Sequence, residues 1–273
     1  MRISTSDIVR FVSEARETVD FSGLKKAFGI RSADDIRCLK QLVKTLMNDR
    51  VLRYAHQFGR SVIALSYERP VSVSRHVVLK PHACEFHASP DQTTSRYVIS
   101  LIRGAAFGGG EHPTTRLCIQ LIDACLHSEK FSPCRASISC LDIGTGSGVL
   151  ALVAAAMGVK SVLAVDTSPA ARHEARQNIR ENHLEEKIRV ENQPLDTLPG
   201  TYGLVLANLR MPTLISLQSV LDRIVEADGH LILSGIKDEE IHLIRDAYPP
   251  PVFFPKSILS EKGWSAMWLA RER

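Results

Sequence analysis

From Cys140 to Gly148 the chain reads CLDIGTGSG, and an Ala-rich apolar run follows from Val149. Apolar residues closed by glycines at 144, 146 and 148 read as a strand that turns sharply into a helix. The glycines allow positive φ and a close approach of backbone to ligand, and the helix start presents free N–H groups. Beyond it, apolar runs and helical patterns alternate: Ser161–Val165, a helix opened by Pro169 and reaching Asn182, Ile188–Val190, Tyr202–Ala207, a helix after Pro212, His230–Ser234, and a helix over 238–247. Alternation of this kind predicts a mainly parallel sheet covered on both faces. Phe253 and Phe254, then Trp264 to Leu269, read as a closing hairpin in which Trp264 and Trp268 are packing residues.

The ligand of the turn is narrowed by acids. Asp142 lies two residues before Gly144, where a pyrophosphate would meet a repelling carboxylate, and the dinucleotide fingerprint spaces its glycines as G-x-G-x-x-G. A carboxylate there suits a cation, such as the ammonium of a methionine moiety. Asp166, with Thr167 beside it, closes the next apolar run, where an acid can hold the two hydroxyls of a ribose. An amino-acid cation, a glycine loop and a ribose acid together describe S-adenosylmethionine. Ligands of such sheets bind beyond the carboxyl ends of the strands. Asn192 and Asn208 fall at two more of these ends. Asn192 or Gln193 would reach the adenine edge; Asn208 would face the transferring methyl and is the candidate for orienting the acceptor.

A length of 273 residues allows one large domain with a small companion. The 44% apolar and 23% charged content is that of an ordinary globular protein. Six cysteines without a C-x-x-C pair, and an opening MRISTSDIVRFV without the pattern of a signal peptide, predict a reducing, cytoplasmic setting. No run approaches the ~18 apolar residues that span a bilayer. The net charge of +4 is uneven, because Lys and Arg exceed Asp and Glu by about five within the first 70 residues. Residues 1–68 read as a helix from Ser6, a short helix stopped by Gly29, a third helix capped by Ser32, and two strands (51–54 and 61–65) joined across Gln57, Phe58, Gly59 and Arg60. Three helices and a two-stranded wing describe a winged-helix-like domain. Its third helix carries Arg31, Arg37, Lys40 and Lys44, and its wing Arg53 and Arg60, so contact with nucleic acid and docking of protein both stay open.

Residues 69–112 read as a linker containing a hairpin, with strands over 75–80 and 97–102 and a loop through Ser89, Pro90, Asp91 and Gln92. His82, Cys84 and His87 have no fourth partner at a recognised metal spacing, and no metal site is expected. The segment then reads AFGGGEHPTT from Ala106 to Thr115. Its three glycines predict a flexible loop, a lid over the donor that Phe107 or the threonines touch, with Pro113 opening the next helix.

AFGGGEHPTT, LDIGTGSGVLAL, VDTSPAA with Asn178, VLANL and LILSGI resemble the ribosomal protein L-eleven methyltransferase (PrmA-type) family over residues 100–273. The resemblance implies an α/β, Rossmann-like class I methyltransferase domain with a seven-stranded sheet over 113–273, S-adenosylmethionine as donor, and protein amino groups as acceptors. It carries over Thr114, Thr115, Asp142, Gly144, Gly146, Asp166 and Asn208; Phe107, Gly148, Thr167 and Asn192 complete the expected donor set. Two departures stand out: that family's usual amino-terminal domain is a small α/β module, and Leu209-Arg210-Met211 replaces its neutral Ile-Leu-Ala. The leading reading is methylation of a protein nitrogen, in a ribosomal or translation-related protein. Methylation of RNA, DNA or a small molecule is the second reading, a donor-sensing DNA-binding regulator the third, and an oxidoreductase the fourth.

Overall fold

The computed structural model describes residues 3–57, 59–86, 96–102, 104, 106–129, 131–198 and 200–272. The chain divides into two compact units, Met1–Arg69 and Pro70–Arg273. The first holds α1 (Thr5–Glu14), α2 (Phe21–Ala27), α3 (Ala33–Asn48) and the antiparallel strands β1 (Leu52–Gln57) and β2 (Arg60–Leu65). Helix α1 starts earlier than Ser6. Ser4 caps it, accepting from the Asp7 N–H at 3.2 Å while Asp7 accepts from the Ser4 N–H at 3.0 Å, a reciprocal pair that satisfies two orphan donors. Ser32 caps α3 as expected. Ile8, Val12, Leu24, Leu39, Val43, Leu46, Leu52 and Ile63 close one core, each contributing on the order of 1.5–3 kcal/mol by leaving water. Phe58 of the expected turn lies outside the described residues.

The second unit begins with β3 (Val71–Ser72), β4 (Val77–Pro81) and β5 (Tyr97–Leu101). This corrects the expected linker and hairpin: β4 and β5 pair in parallel, Val77 opposite Tyr97 and Pro81 opposite Leu101, and the segment belongs to the larger unit. Parallel strands need a crossover of a dozen or more residues, which 82–96 supply; His87 and the loop of Ser89 to Gln92 lie outside the described residues. Strand β5 is also held from outside its sheet, because the Asn182 carboxamide accepts from the Ser100 N–H (2.8 Å) and donates to the Ser100 carbonyl (2.7 Å).

Next come α4 (Pro113–Leu126), β6 (Ser139–Ile143), α5 (Val149–Ala156), β7 (Ser161–Val165), α6 (Pro169–Glu181), β8 (Ile188–Glu191), β9 (Tyr202–Asn208), α7 (Met211–Ser216), α8 (Gln218–Ile224), β10 (Val225–Lys237), α9 (Ile241–Ala247), β11 (Phe253–Glu261) and β12 (Trp264–Arg271). The strands from β6 on make one seven-stranded sheet, ordered β11-β12-β10-β9-β6-β7-β8. Strands β8, β7, β6, β9 and β10 run parallel. The β11–β12 hairpin adds β12 antiparallel to β10. Leu141, Val205, Leu231, Leu233, Met267 and Leu269 are all 0% exposed, as the covered sheet requires. The chain leaves β6 toward β7 on one side and returns as β9 on the other, so the topological switch point lies at β6. A crevice is expected beyond its carboxyl end. No described helix is long and apolar enough to cross a membrane.

Candidate cofactor site and active site

The loop after β6 is fixed from three directions. The Gly144 and Thr145 N–H groups donate to the Val165 carbonyl at 2.8 and 3.0 Å, which locks the loop to the end of β7. Asp142 accepts from the Thr145 hydroxyl at 2.6 Å and from the Ala151 N–H at 3.2 Å. Asp166 accepts from the Gly146 N–H at 3.0 Å and, with its other oxygen, from the Ser168 N–H at 2.8 Å. Gly146 has φ 56°, and a Cβ there would stand 2.4 Å from the Phe107 carbonyl oxygen. Only glycine admits that approach.

The Phe107 contact fastens the Gly-rich segment, expected as a flexible lid, to this loop. The Ser147 N–H donates to the Phe107 carbonyl (2.9 Å) and its hydroxyl to the Gly108 carbonyl (3.0 Å). Helix α6 holds both loops from behind. The fully buried Asn178 accepts from the Ile102 N–H (2.7 Å) and donates to the Ser147 carbonyl (2.9 Å), and Glu174 accepts from the Ala106 N–H (2.9 Å).

A cavity of about 910 Å³ opens above these loops, within the range of small-molecule sites. Phe107, Thr114, Gly144, Gly146, Asp166, Thr167, Asn192 and Asn208 line it, as do Gln193 and Arg210, the latter exposed to solvent. Three expected members do not. Thr115 is fully buried on the inner face of α4. Gly148 is the N-cap of α5, and a Cβ on it would stand 3.2 Å from that of Ala175.

Asp142 is the consequential correction: at 1% exposure it lies beneath the loop, and its carboxylate bonds loop and helix instead of facing the cavity. Burial pushes its pKa up to about 6 against the lowering effect of the Thr145 and Ala151 hydrogen bonds, and the Asp166 charge raises it further. The Asp166 charge thus acts on Asp142, and a cation held in the cavity offsets that effect on the buried carboxylate.

Sequence reasoning missed two walls of the cavity and misassigned one of them. His112 is the N-cap of α4, its Nδ1 2.8 Å from the Thr114 hydroxyl. Its ring lies 5.2 Å from that of Phe107 and 4.9 Å, edge-on, from that of Trp264. Burial first, and then the Arg116 charge, hold its pKa below the ordinary imidazole value, which favours the neutral ring. Trp264, expected as packing, lines the cavity. The position just before Pro113 was a legible N-cap signal for His112. Trp264 had none, because it arrives through the tie between Arg116 and Glu261 (Nε to Oε2, 3.0 Å), 145 residues apart. Trp268 does pack, donating to His230 Nδ1 at 2.8 Å.

A seven-stranded sheet in this order, with a glycine loop after β6 and a carboxylate after β7, is the frame of a Rossmann-like methyltransferase. More narrowly, the chain belongs to the ribosomal protein L11 methyltransferase (PrmA) family, whose model matches residues 63–272. A ribosomal protein L11 methyltransferase of Pelobacter propionicus is 34% identical over 199 residues, 73% of this chain and 62% of its own length. One from Clostridium perfringens is 31% identical over 261 residues, 96% of this chain and 74% of its own. The crystal structure of ribosomal protein L11 methylase from Lactobacillus delbrueckii subsp. bulgaricus superposes with a TM-score of 0.65 at 28% identity, over 75% of this chain and 100% of that one. The chain thus spans about three fifths of the length of the Pelobacter relative.

Proposed function

We propose that the chain is a cytoplasmic S-adenosylmethionine-dependent methyltransferase that places methyl groups on protein amino groups, with a ribosomal protein as substrate. The observation that carries this reading is Asp166, a carboxylate fixed at the end of β7 by two backbone donors inside a cavity with a glycine floor. Each Asp166 oxygen accepts one of these bonds and keeps a second lone pair, enough for the two hydroxyls of a ribose. Asn192 and Gln193 serve the adenine edge, and Thr114, Gly144 and Gly146 the methionine end. The donor supplies an activated methyl group, so the chain has to bind, align and exclude water. Asn208, at the end of β9, orients the acceptor nitrogen, and Phe107, His112 and Trp264 supply apolar and aromatic wall. Replacing Asp166 by alanine is expected to weaken donor binding by about 1–3 kcal/mol through loss of charge-assisted ribose hydrogen bonds. Calorimetric titration with S-adenosylhomocysteine measures it, and unchanged affinity removes Asp166 from the site.

Family membership favours the protein acceptor. The exposed Arg37, Lys40 and Lys44 on α3 favour a second reading, in which the winged-helix-like unit delivers a nucleic acid to the same chemistry. Incubating cell extract with methyl-labelled donor and then with protease or nuclease separates the two. Label that protease releases and nuclease leaves is expected; label that survives protease and falls to nuclease assigns the acceptor to nucleic acid.

A further inference from the structure

At the other end of α4 from His112, the turn into β4 and the last helical turn bring together His76, Asp123 and His127. None of the three lines the cavity. Asp123 is 5% exposed. The Nδ1 atoms of His76 and His127 lie 2.7 and 2.8 Å from one and the same Asp123 oxygen, Oδ1, and the two rings stack with centroids 4.0 Å apart. Helical spacing of four residues puts Asp123 and His127 on one face. His76 is held against them from the strand side by its backbone N–H, which donates to Asp123 Oδ2 at 3.1 Å. We propose that His76, Asp123 and His127 form a binding site for a divalent transition-metal ion, zinc foremost, separate from the methyl-transfer chemistry.

The donor set selects the metal. Two imidazoles and one carboxylate suit zinc and its first-row neighbours, whereas magnesium and calcium prefer oxygen shells. The three ligand atoms lie within 4.8 Å of one another, compatible with an ion about 2.0–2.2 Å from each. An opening of about 0.6 Å turns the two close Nδ1–Oδ1 approaches into coordination of one ion, and His127 Nδ1 then also leaves the Asp123 backbone carbonyl, 3.0 Å away. Each imidazole then binds through Nδ1 as the tautomer that carries its proton on Nε2, and water takes the fourth position. His76 and His127, with side chains 16% and 31% exposed, give the ion a way in. The bound ion clamps the 70–81 segment to the helix whose first turn forms a wall of the cavity.

The test uses the full chain, stripped with a chelator, dialysed, and titrated with zinc chloride by calorimetry. One equivalent is expected to bind with a Kd of about 10 μM or tighter, with a rise in melting temperature. His76→Gln and His127→Gln are each expected to weaken binding about tenfold or more, and Cys38→Ser and Cys134→Ser to leave it unchanged. Should a histidine variant fail to fold, cobalt(II) loaded into the unaltered protein decides. Ligand-field bands of a nitrogen–oxygen set support the site, and a thiolate charge-transfer band assigns the metal to cysteine and overturns it. No stoichiometric binding at about 100 μM free zinc, or binding that survives His127→Gln, leaves the cluster as a hydrogen-bonded triad and ends the proposal.

Discussion

Gly235→Ala is expected to destabilise the larger unit by about 3 kcal/mol or more, with loss of donor binding at temperatures where the wild-type chain is folded. Gly235 has φ 87°, so an alanine there carries left-handed strain of on the order of 1–2 kcal/mol before any contact is counted. Its Cβ would then stand 2.2 Å from the carbonyl oxygen and 2.6 Å from the carbonyl carbon of Leu209. Those atoms are backbone, and the Leu209 N–H is bonded to the Ser234 carbonyl at 3.0 Å, so they cannot swing aside as a side chain does. Gly235 sits where the pairing of β10 with β12 slips between Ser234 and Ile236. Against this bulge lies Leu209, which lines the cavity together with Asn208 at the end of β9 and with Arg210. Thermal melting and titration with S-adenosylhomocysteine report the two losses. A variant that melts like the wild type would show that the approach of β10 to Leu209 is not fixed.

The second large effect separates stability from function at one buried atom pair. Asp142→Asn keeps an oxygen to accept from Thr145 and Ala151 but removes the charge. The wild-type carboxyl has its folded pKa raised from 3.8 to about 6, chiefly by burial. The native state therefore binds more protons than the unfolded chain between about pH 4 and 6. Wild-type stability falls as pH rises through that window, by on the order of 3 kcal/mol in all. The asparagine variant lacks this slope, and is expected to be the more stable protein at pH 7 and no more stable below about pH 4. It is also expected to bind a cationic donor more weakly above pH 6, because the buried negative charge beneath the loop is gone. Denaturant melts at several pH values, paired with donor titrations, measure both. Equal pH slopes for the two proteins contradict the buried-charge assignment. Asp142→Ala, which orphans two buried donors at about 1–3 kcal/mol each, is expected to destabilise instead.

Local signals carried most of the catalytic frame. The glycine loop was legible because β6 and α5 change hydrophobic period abruptly at Gly144, and Asp166 because it closes a short apolar run at the spacing of a ribose acid. The orientation of Asp142 was not legible. A strand buried on both faces has no polar side, so its pattern cannot tell a carboxylate that faces a ligand from one that braces a loop. Nor were the partners of β5 and of the residue after it: Asn182 bonds Ser100 and Asn178 bonds Ile102 from 82 and 76 residues away, and β5 pairs in parallel with β4 where a hairpin was expected. His76, Asp123 and His127 escaped notice for the same reason, two of them lying 47 residues apart.

Calorimetric titration of the full chain with S-adenosylmethionine and, separately, with NAD bears most directly on the identity of the ligand. One equivalent of the sulfonium compound is expected to bind at micromolar concentration, weakened by Asp166→Ala, with no heat from NAD. Saturable binding of NAD, with none of the sulfonium compound at millimolar concentration, would contradict it.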